Sequence, residues 1–421
     1  MKIVVHMGQN KTGTTSLQHS LHFSTELLES RSVYYPRFRT WSPNHHLLIA
    51  HFGSPEKLSH RTVEQMGGLG ETRKAAWDAW EETVETVHRK RPELLILSSE
   101  FILPLLDATE KSRFARELFK LSSDILPVAY IRHPVHHFRA RLQQSLKNRT
   151  GVPKLAASGL QRSILDVERA FGKRPELIAF DRSVLHGGDI VQDFATRFLS
   201  RWLKPSDLPR VHANQGLSAE ALVLMIELRA GGGGTDEAAD NVSRLVRLLT
   251  SLDQSDPPAE SLTLLPEVAE AILRASSSYR WLADTGQLQI PGLDTDRIDG
   301  TSLPDWIKTA SPGSLFRHDH ARLERLRKAV EASRARQIVK KDTQPYMPPR
   351  TDQAPRPRRS SKHSFSDFLL RFVRRKLASL QDRKTGAAPT RGKAHGRSSQ
   401  GDRNEDHETS GNLDTCAHDR P

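Results

Sequence analysis

The stretch that most restricts what this chain can fold into is Lys2 to Ser20, KIVVHMGQNKTGTTSLQHS. Lys2 to Met7 is a short apolar run rich in β-branched residues, which reads as a strand. Gly8 to Thr15 is a loop of glycine, threonine and lysine, and Thr15 to Leu28 then repeats apolar residues at helical spacing. Strand, loop and helix in direct succession gather consecutive backbone N–H groups and the positive end of a helix around one point. Such a point holds a phosphate or a sulfate, and Lys11 adds a mobile cation inside it. A tight strand-to-helix turn with a surface lysine is the plainer reading of the same letters, because glycine-rich turns are common in α/β folds.

Spacing separates the kinds of anion site. A nucleotide-hydrolysing loop runs G-x-x-x-x-G-K-[ST], so that lysine and hydroxyl meet a triphosphate and its magnesium. Gly8 and Gly13 keep the gap, but Thr14 stands at the lysine position and Lys11 lies inside the loop. The residues GQNKTGTTSLQ instead resemble the 5′-phosphosulfate loop of sulfotransferases that use 3′-phosphoadenosine 5′-phosphosulfate (PAPS). That resemblance implies a P-loop-like three-layer α/β fold with a central, mainly parallel sheet, and a reaction that needs no metal. It implies that Lys11, Thr12, Gly13, Thr14 and Thr15 grip the 5′ end of the donor, with Lys11 also stabilising the departing phosphate oxygen.

Two further strand ends extend the resemblance. Leu94 to Leu97 is a continuous apolar run, the mark of a strand buried on both faces, and Ser98, Ser99 and Glu100 follow it. Ligands in open parallel sheets bind beyond the carboxyl ends of strands. Strands ending in Ser-Ser-Glu occur in bacterial sulfotransferase-like chains, and the resemblance makes Glu100 the general base. A carboxylate at the start of the helix expected over Phe101 to Leu106 is the structural alternative.

Ile125 to Ile131 reads as the next strand, with Arg132 at its end and a helix over Val135 to Asn148. YIRHPVHHFRARLQQSLK resembles the family's 3′-phosphate element, in which an arginine ends a strand and a serine follows eight residues on. Arg132 matches; the serine position holds Ala140, the usual aromatic position holds Leu142, and Gln143 and Gln144 agree with the bacterial pattern. Arg139 and Arg141 flank the gap. They compensate for the missing hydroxyl through charge-assisted contacts, or they form a solvated helix face. Arg132 and Arg139 thus join the donor-binding set.

Elsewhere the chain offers a strand over Glu176 to Phe180, Gly187-Gly188-Asp189 with Asp189 as a helix N-cap, and RVHANQGL, whose Asn214 the resemblance places at the nucleotide. Trp77 and Trp80 lie on a clear amphipathic helix, Glu71 to Lys90, and read as core packing. His45 and His46 lack carboxylate or cysteine neighbours at ligand spacing, so a loop or substrate-cleft role is expected rather than a metal site. His6 and His133 are reserve bases, and no metal ligands are expected.

Lys and Arg outnumber Asp and Glu by 63 to 50. The excess suits anionic partners, here PAPS, and does not by itself point to a specific nucleic acid. Cys416 is the single cysteine, which leaves no disulfide framework and favours a cytoplasmic protein. No uninterrupted apolar stretch reaches the ~20 residues that span a bilayer, and no signal segment precedes the first strand. The expected division is a sulfotransferase core over 1–215, a helical cap of the same domain over 216–341, and a mostly disordered basic tail over 342–421. Within the tail, 364–380 reads as a basic amphipathic helix suited to peripheral membrane contact or to docking on the body.

The function expected on this reading is transfer of a sulfuryl group from PAPS to a hydroxyl or amine, with a glycan or glycolipid acceptor as the base-rate choice. A P-loop small-molecule kinase and a non-catalytic anion- or glycan-binding protein with a degenerate donor site are the alternatives.

Overall fold

The computed structural model describes residues 1–38, 43–148, 159–211, 216–230, 238–258 and 262–342. Asn214 and the helix expected over 364–380 lie outside the described residues.

Five strands, β1 (Lys2–His6), β2 (Val33–Tyr34), β3 (Leu94–Ser98), β4 (Asp124–Ile131) and β5 (Glu176–Ala179), form one sheet in the order β2-β3-β1-β4-β5. All four pairings are parallel. β1 is central, with Val4 in register with Ile96 on one side and Leu126 on the other. The alternation of its side chains explains the unbroken apolar strands. Ile3 and Val5 pack with Leu95, Leu97, Ala129 and Ile131 on one face, whereas Val4 packs with Ile96, Val128 and Tyr130 on the other.

Helices α1 (Thr14–Phe23), α2 (Leu47–Phe52), α3 (Leu69–Lys90), α4 (Ala108–Leu121), α5 (Pro134–Asn148), α6 (Gly159–Phe171) and α7 (Ile190–Phe194) surround the sheet. Leu17 and Leu21 of α1 join Phe194 of α7 on the Val4 face. Trp80, Phe114 and Val167 of α3, α4 and α6 cover the other. From β1 the chain passes beyond β3 to reach β2, and from β4 it moves the opposite way to β5. That divergence places the topological switch point between β1 and β4, at whose carboxyl ends parallel sheets leave a crevice for ligands.

A second apolar cluster lies beyond α5. It joins Phe138, Leu142 and Leu146 to α8 (Ala219–Ala230), α9 (Ala238–Ser255), α10 (Pro266–Arg274) and α12 (His320–Asp342), while α11 (Ser277–Asp284) packs on α6. Leu142 therefore serves this cluster rather than a ligand. Arg322 ties the helices together: 2% exposed, it bonds Glu220 Oε2 at 2.6 Å, Asp253 Oδ1 at 2.7 Å and Ser218 Oγ at 2.7 Å.

Several boundaries differ from expectation for local reasons. The helix expected over Thr15 to Leu28 breaks at Ser24, where Thr25 Oγ1 donates to the His22 carbonyl at 2.7 Å and competes with the helical ladder. Trp80 is buried as expected, but Trp77 is 57% exposed. The inward arc of α3 runs through Ala76, Trp80, Thr83 and Val87, leaving Trp77 outside it against His51 at 5.2 Å. No helix among the described residues is long and apolar enough to cross a membrane.

Candidate active site

The loop after β1 is built by three left-handed residues, Gly8 (φ 26°), Lys11 (φ 68°) and Gly13 (φ 75°). A Cβ on Gly13 would stand 3.1 Å from Ile190 Cγ2 and 3.3 Å from the Phe180 ring, so both space and backbone require glycine there. Lys11 has no such freedom, and its strained conformation is held from both sides. Thr12 Oγ1 donates to the Gln9 carbonyl at 2.6 Å, and Arg132 Nη1 donates to the Lys11 carbonyl at 3.0 Å. Arg132 also lies 5.5 Å from the centre of the Phe180 ring.

Successive loop side chains bind α5 and α11. Gln9 Nε2 donates to Tyr279 Oη at 2.9 Å, and Gln9 Oε1 accepts from the Arg132 amide at 3.0 Å. His137 Nε2 donates to Asn10 Oδ1 at 2.8 Å, and Lys11 Nζ donates to Gln144 Oε1 at 2.9 Å. Gln143 is engaged with the Leu217 carbonyl at 2.7 Å. Thr14 Oγ1 and His6 Nε2 are buried without a hydrogen-bond partner, and each lies 3.3 Å from where a Cβ on Gly8 would stand.

Cations converge on this crevice. Lys11, Arg132, Arg139, Arg141 and Lys147 are all partly buried, and among the described residues none is ion-paired with a carboxylate. Burial holds the Lys11 ammonium below its ordinary value, and the charges of Lys147 and Arg132 add to that, against the pull of Glu100. Arg132 is lowered to about 10, first by burial and then by Arg139. Arg139 and Arg141 do not form the solvated face that remained open from sequence. Burial depresses both, and Arg139 Nη1 donates to the Leu262 carbonyl at 3.1 Å.

Glu100 lies at the end of β3, the strand next to β1. Gln18 Nε2 of α1 and His46 Nε2 each donate to its Oε2 at 3.1 Å. Burial alone would raise this carboxyl; the bond and charge of His46, with the residue's own amide and Gln18, outweigh it and hold the group at about 2. His46 is delivered by its neighbour. His45 Nε2 donates to the Pro36 carbonyl at 2.8 Å, its Nδ1 accepts from the Ser98 amide at 3.0 Å, and its own amide donates to the Ser98 carbonyl at 3.0 Å. The segment entering α2 is thereby pinned to the end of β3. The His46 ring stacks on Phe101 with centres 4.2 Å apart and planes 23° from parallel.

Each reserve histidine keeps one buried ring nitrogen without a hydrogen-bond partner, Nε2 in His6 and Nδ1 in His133. Burial lowers His6 to about 4 and its Nδ1 is bonded to Ser98 Oγ at 2.9 Å. Burial and His136 lower His133 to about 4. The structure therefore brings Lys11, Thr12, Gly13, Thr14, Thr15, Arg132 and Arg139 around one loop and sets Glu100 at the adjacent strand end. Sequence reasoning passed over the tie between His46 and Glu100, which only the backbone pairing of His45 with Ser98 creates. Comparison with protein-family models, with curated proteins and with solved structures finds no match to this chain.

Proposed function

We propose that this protein is a PAPS-dependent sulfotransferase on a P-loop-like α/β core, moving a sulfuryl group to a hydroxyl or amine. The observation that carries the reading is the cluster of partly buried cations around a glycine loop, none of them ion-paired with a carboxylate among the described residues. Partly buried charge is costly unless it is paired, and here the missing partner is an anion from outside. The chain's own groups fit PAPS: an unpartnered Thr14 Oγ1 inside the loop, a tight turn that Gly13 makes possible against Ile190 and Phe180, and a lysine with no ion-paired carboxylate among the described residues.

In this reading the N–H groups of Thr12 to Thr15 and the start of α1 hold the 5′-phosphosulfate. Lys11 exchanges the neutral Gln144 amide for the phosphate oxygen on which charge builds as the sulfuryl group departs. Arg132, with Arg139 beside it, holds the 3′-phosphate. The acceptor's proton leaves at the Glu100 end of the crevice. No residue role calls for a metal. The acceptor class expected is a carbohydrate or glycolipid, and the setting is the cytoplasm or a membrane surface.

Thermal stability measured with nucleotides tests the reading. Adenosine 3′,5′-bisphosphate without magnesium should raise the melting temperature, and Lys11→Ala should abolish the rise. Stabilisation by ATP with magnesium alone would favour a kinase. Binding of an acidic glycan with no response to either nucleotide would favour a non-catalytic protein.

A further inference from the structure

We infer that His46 is the residue that takes the acceptor's proton, through Nδ1, and that Glu100 is a positioning residue that fixes the tautomer and orientation of His46. The inference rests on the sulfotransferase reading and divides the proton-transfer role within it. A neutral imidazole donates from one nitrogen and accepts at the other. Because Nε2 faces Glu100 Oε2 at 3.1 Å, a carboxylate that can only accept, the hydrogen of neutral His46 is on Nε2 and the lone pair is on Nδ1. Nδ1 has no hydrogen-bond partner among the described residues and is not buried; the ring as a side chain is 19% exposed.

Glu100 is poorly placed to do this work itself. Its Oε2 accepts from both Gln18 and His46. Its pKa, held at about 2, makes it a weak proton acceptor near neutral pH. The ring is held as a reactive group must be. Phe101 stacks on one face, the His46 amide donates to Asn44 Oδ1 at 3.1 Å, and the pairing of His45 with Ser98 anchors the backbone. The same arrangement, a carboxylate behind a histidine whose far nitrogen faces the reactant, serves general-base catalysis on unrelated folds.

The step balances. The acceptor oxygen forms a bond to sulfur as its proton passes to His46 Nδ1. The bond between sulfur and the phosphate oxygen breaks, and that oxygen keeps the electron pair beside Lys11. The products are a sulfate ester, adenosine 3′,5′-bisphosphate and an imidazolium, which then loses its proton to water. The charged and titratable groups bearing on the dyad are Lys11 on the loop, His6 on β1, Tyr35 after β2 and His45 next in sequence.

The experiment uses full-length protein, labelled PAPS and cell extract as the source of acceptor, with adenosine 3′,5′-bisphosphate stabilisation measured in parallel. His46→Asn is expected to lower turnover by about 10²–10⁴-fold with the stabilisation unchanged, and added imidazole to restore part of the turnover of His46→Ala. Glu100→Gln is expected to cost less, lowering kcat while leaving the KM for PAPS unchanged. Near-full turnover in His46→Asn with turnover lost in Glu100→Gln would overturn the assignment. So would a His46→Ala protein that is folded, inactive and indifferent to imidazole. A wild-type protein that neither responds to adenosine 3′,5′-bisphosphate nor sulfates any extract component would instead remove the sulfotransferase reading, and this inference with it.

Discussion

Arg322 and Arg132 are both arginines taken largely out of water, and the chain treats them in opposite ways. Arg322 has two carboxylates, a hydroxyl and a carbonyl as partners, all from its own fold. Arg132 has a carbonyl and an aromatic ring, with further cations nearby and no paired carboxylate among the described residues. A guanidinium buried for stability is supplied with its counter-charge, because the desolvation cost is otherwise unmet. On the proposed function, a guanidinium left short of one receives its counter-charge from the bound donor. The contrast separates the scaffold of the C-terminal helices from the crevice above β1 and β4.

The strongest way to break this contrast is to remove the paired cation. Arg322→Ala leaves Glu220 and Asp253 with buried charge and should cost about 3–5 kcal/mol of stability, read in denaturant unfolding. Lys11→Ala should leave the unliganded protein as stable as before or slightly more so, because it relieves repulsion with Lys147 and Arg132. Equal losses in the two variants would mean that the crevice cations are structural as well.

Glu100 sharpens the comparison as a carboxylate partnered by the chain. Its folded value of about 2 lies below the ordinary 4.5. The stabilisation is therefore fully present above about pH 4.5 and is lost as pH falls through about 2. Its size is on the order of 3 kcal/mol. Acid unfolding followed by circular dichroism should show this loss in the wild type, and Glu100→Gln should remove it, flattening the stability profile between those limits.

The strands and the loop were legible because their signals are local. An apolar run, a glycine pair and a strand-ending Arg132 or Glu100 need only a few consecutive letters. Residues whose role depends on chain crossings were not. His46 meets Glu100 across 54 positions, and nothing near Asn44 announces that His45 will pair with Ser98. Trp77 was misplaced for a smaller reason: helical spacing defines an arc, and a large apolar residue just off that arc looks the same in sequence. Val33 and Tyr34 went unnoticed because a two-residue strand has no period to detect.

On the sulfotransferase reading, Ala140 offers the finest test of how far the cation cluster compensates for a missing hydroxyl. The residue is partly buried on α5, between Arg139 and Arg141 and one helical turn from Gln144, which holds Lys11. A neutral hydrogen bond is worth about 1 kcal/mol and one to a charged group about 1.5–3. If the arginines already satisfy the 3′-phosphate, Ala140→Ser should change the affinity for adenosine 3′,5′-bisphosphate by less than about twofold, since a serine in a helix then finds its own carbonyl four residues back. If the phosphate is under-coordinated, the variant should bind about tenfold tighter or more, with no matching gain for adenosine 5′-phosphate. Calorimetry with both nucleotides decides between them, and we expect the smaller change, because two charged side chains flank the site that one hydroxyl would otherwise serve.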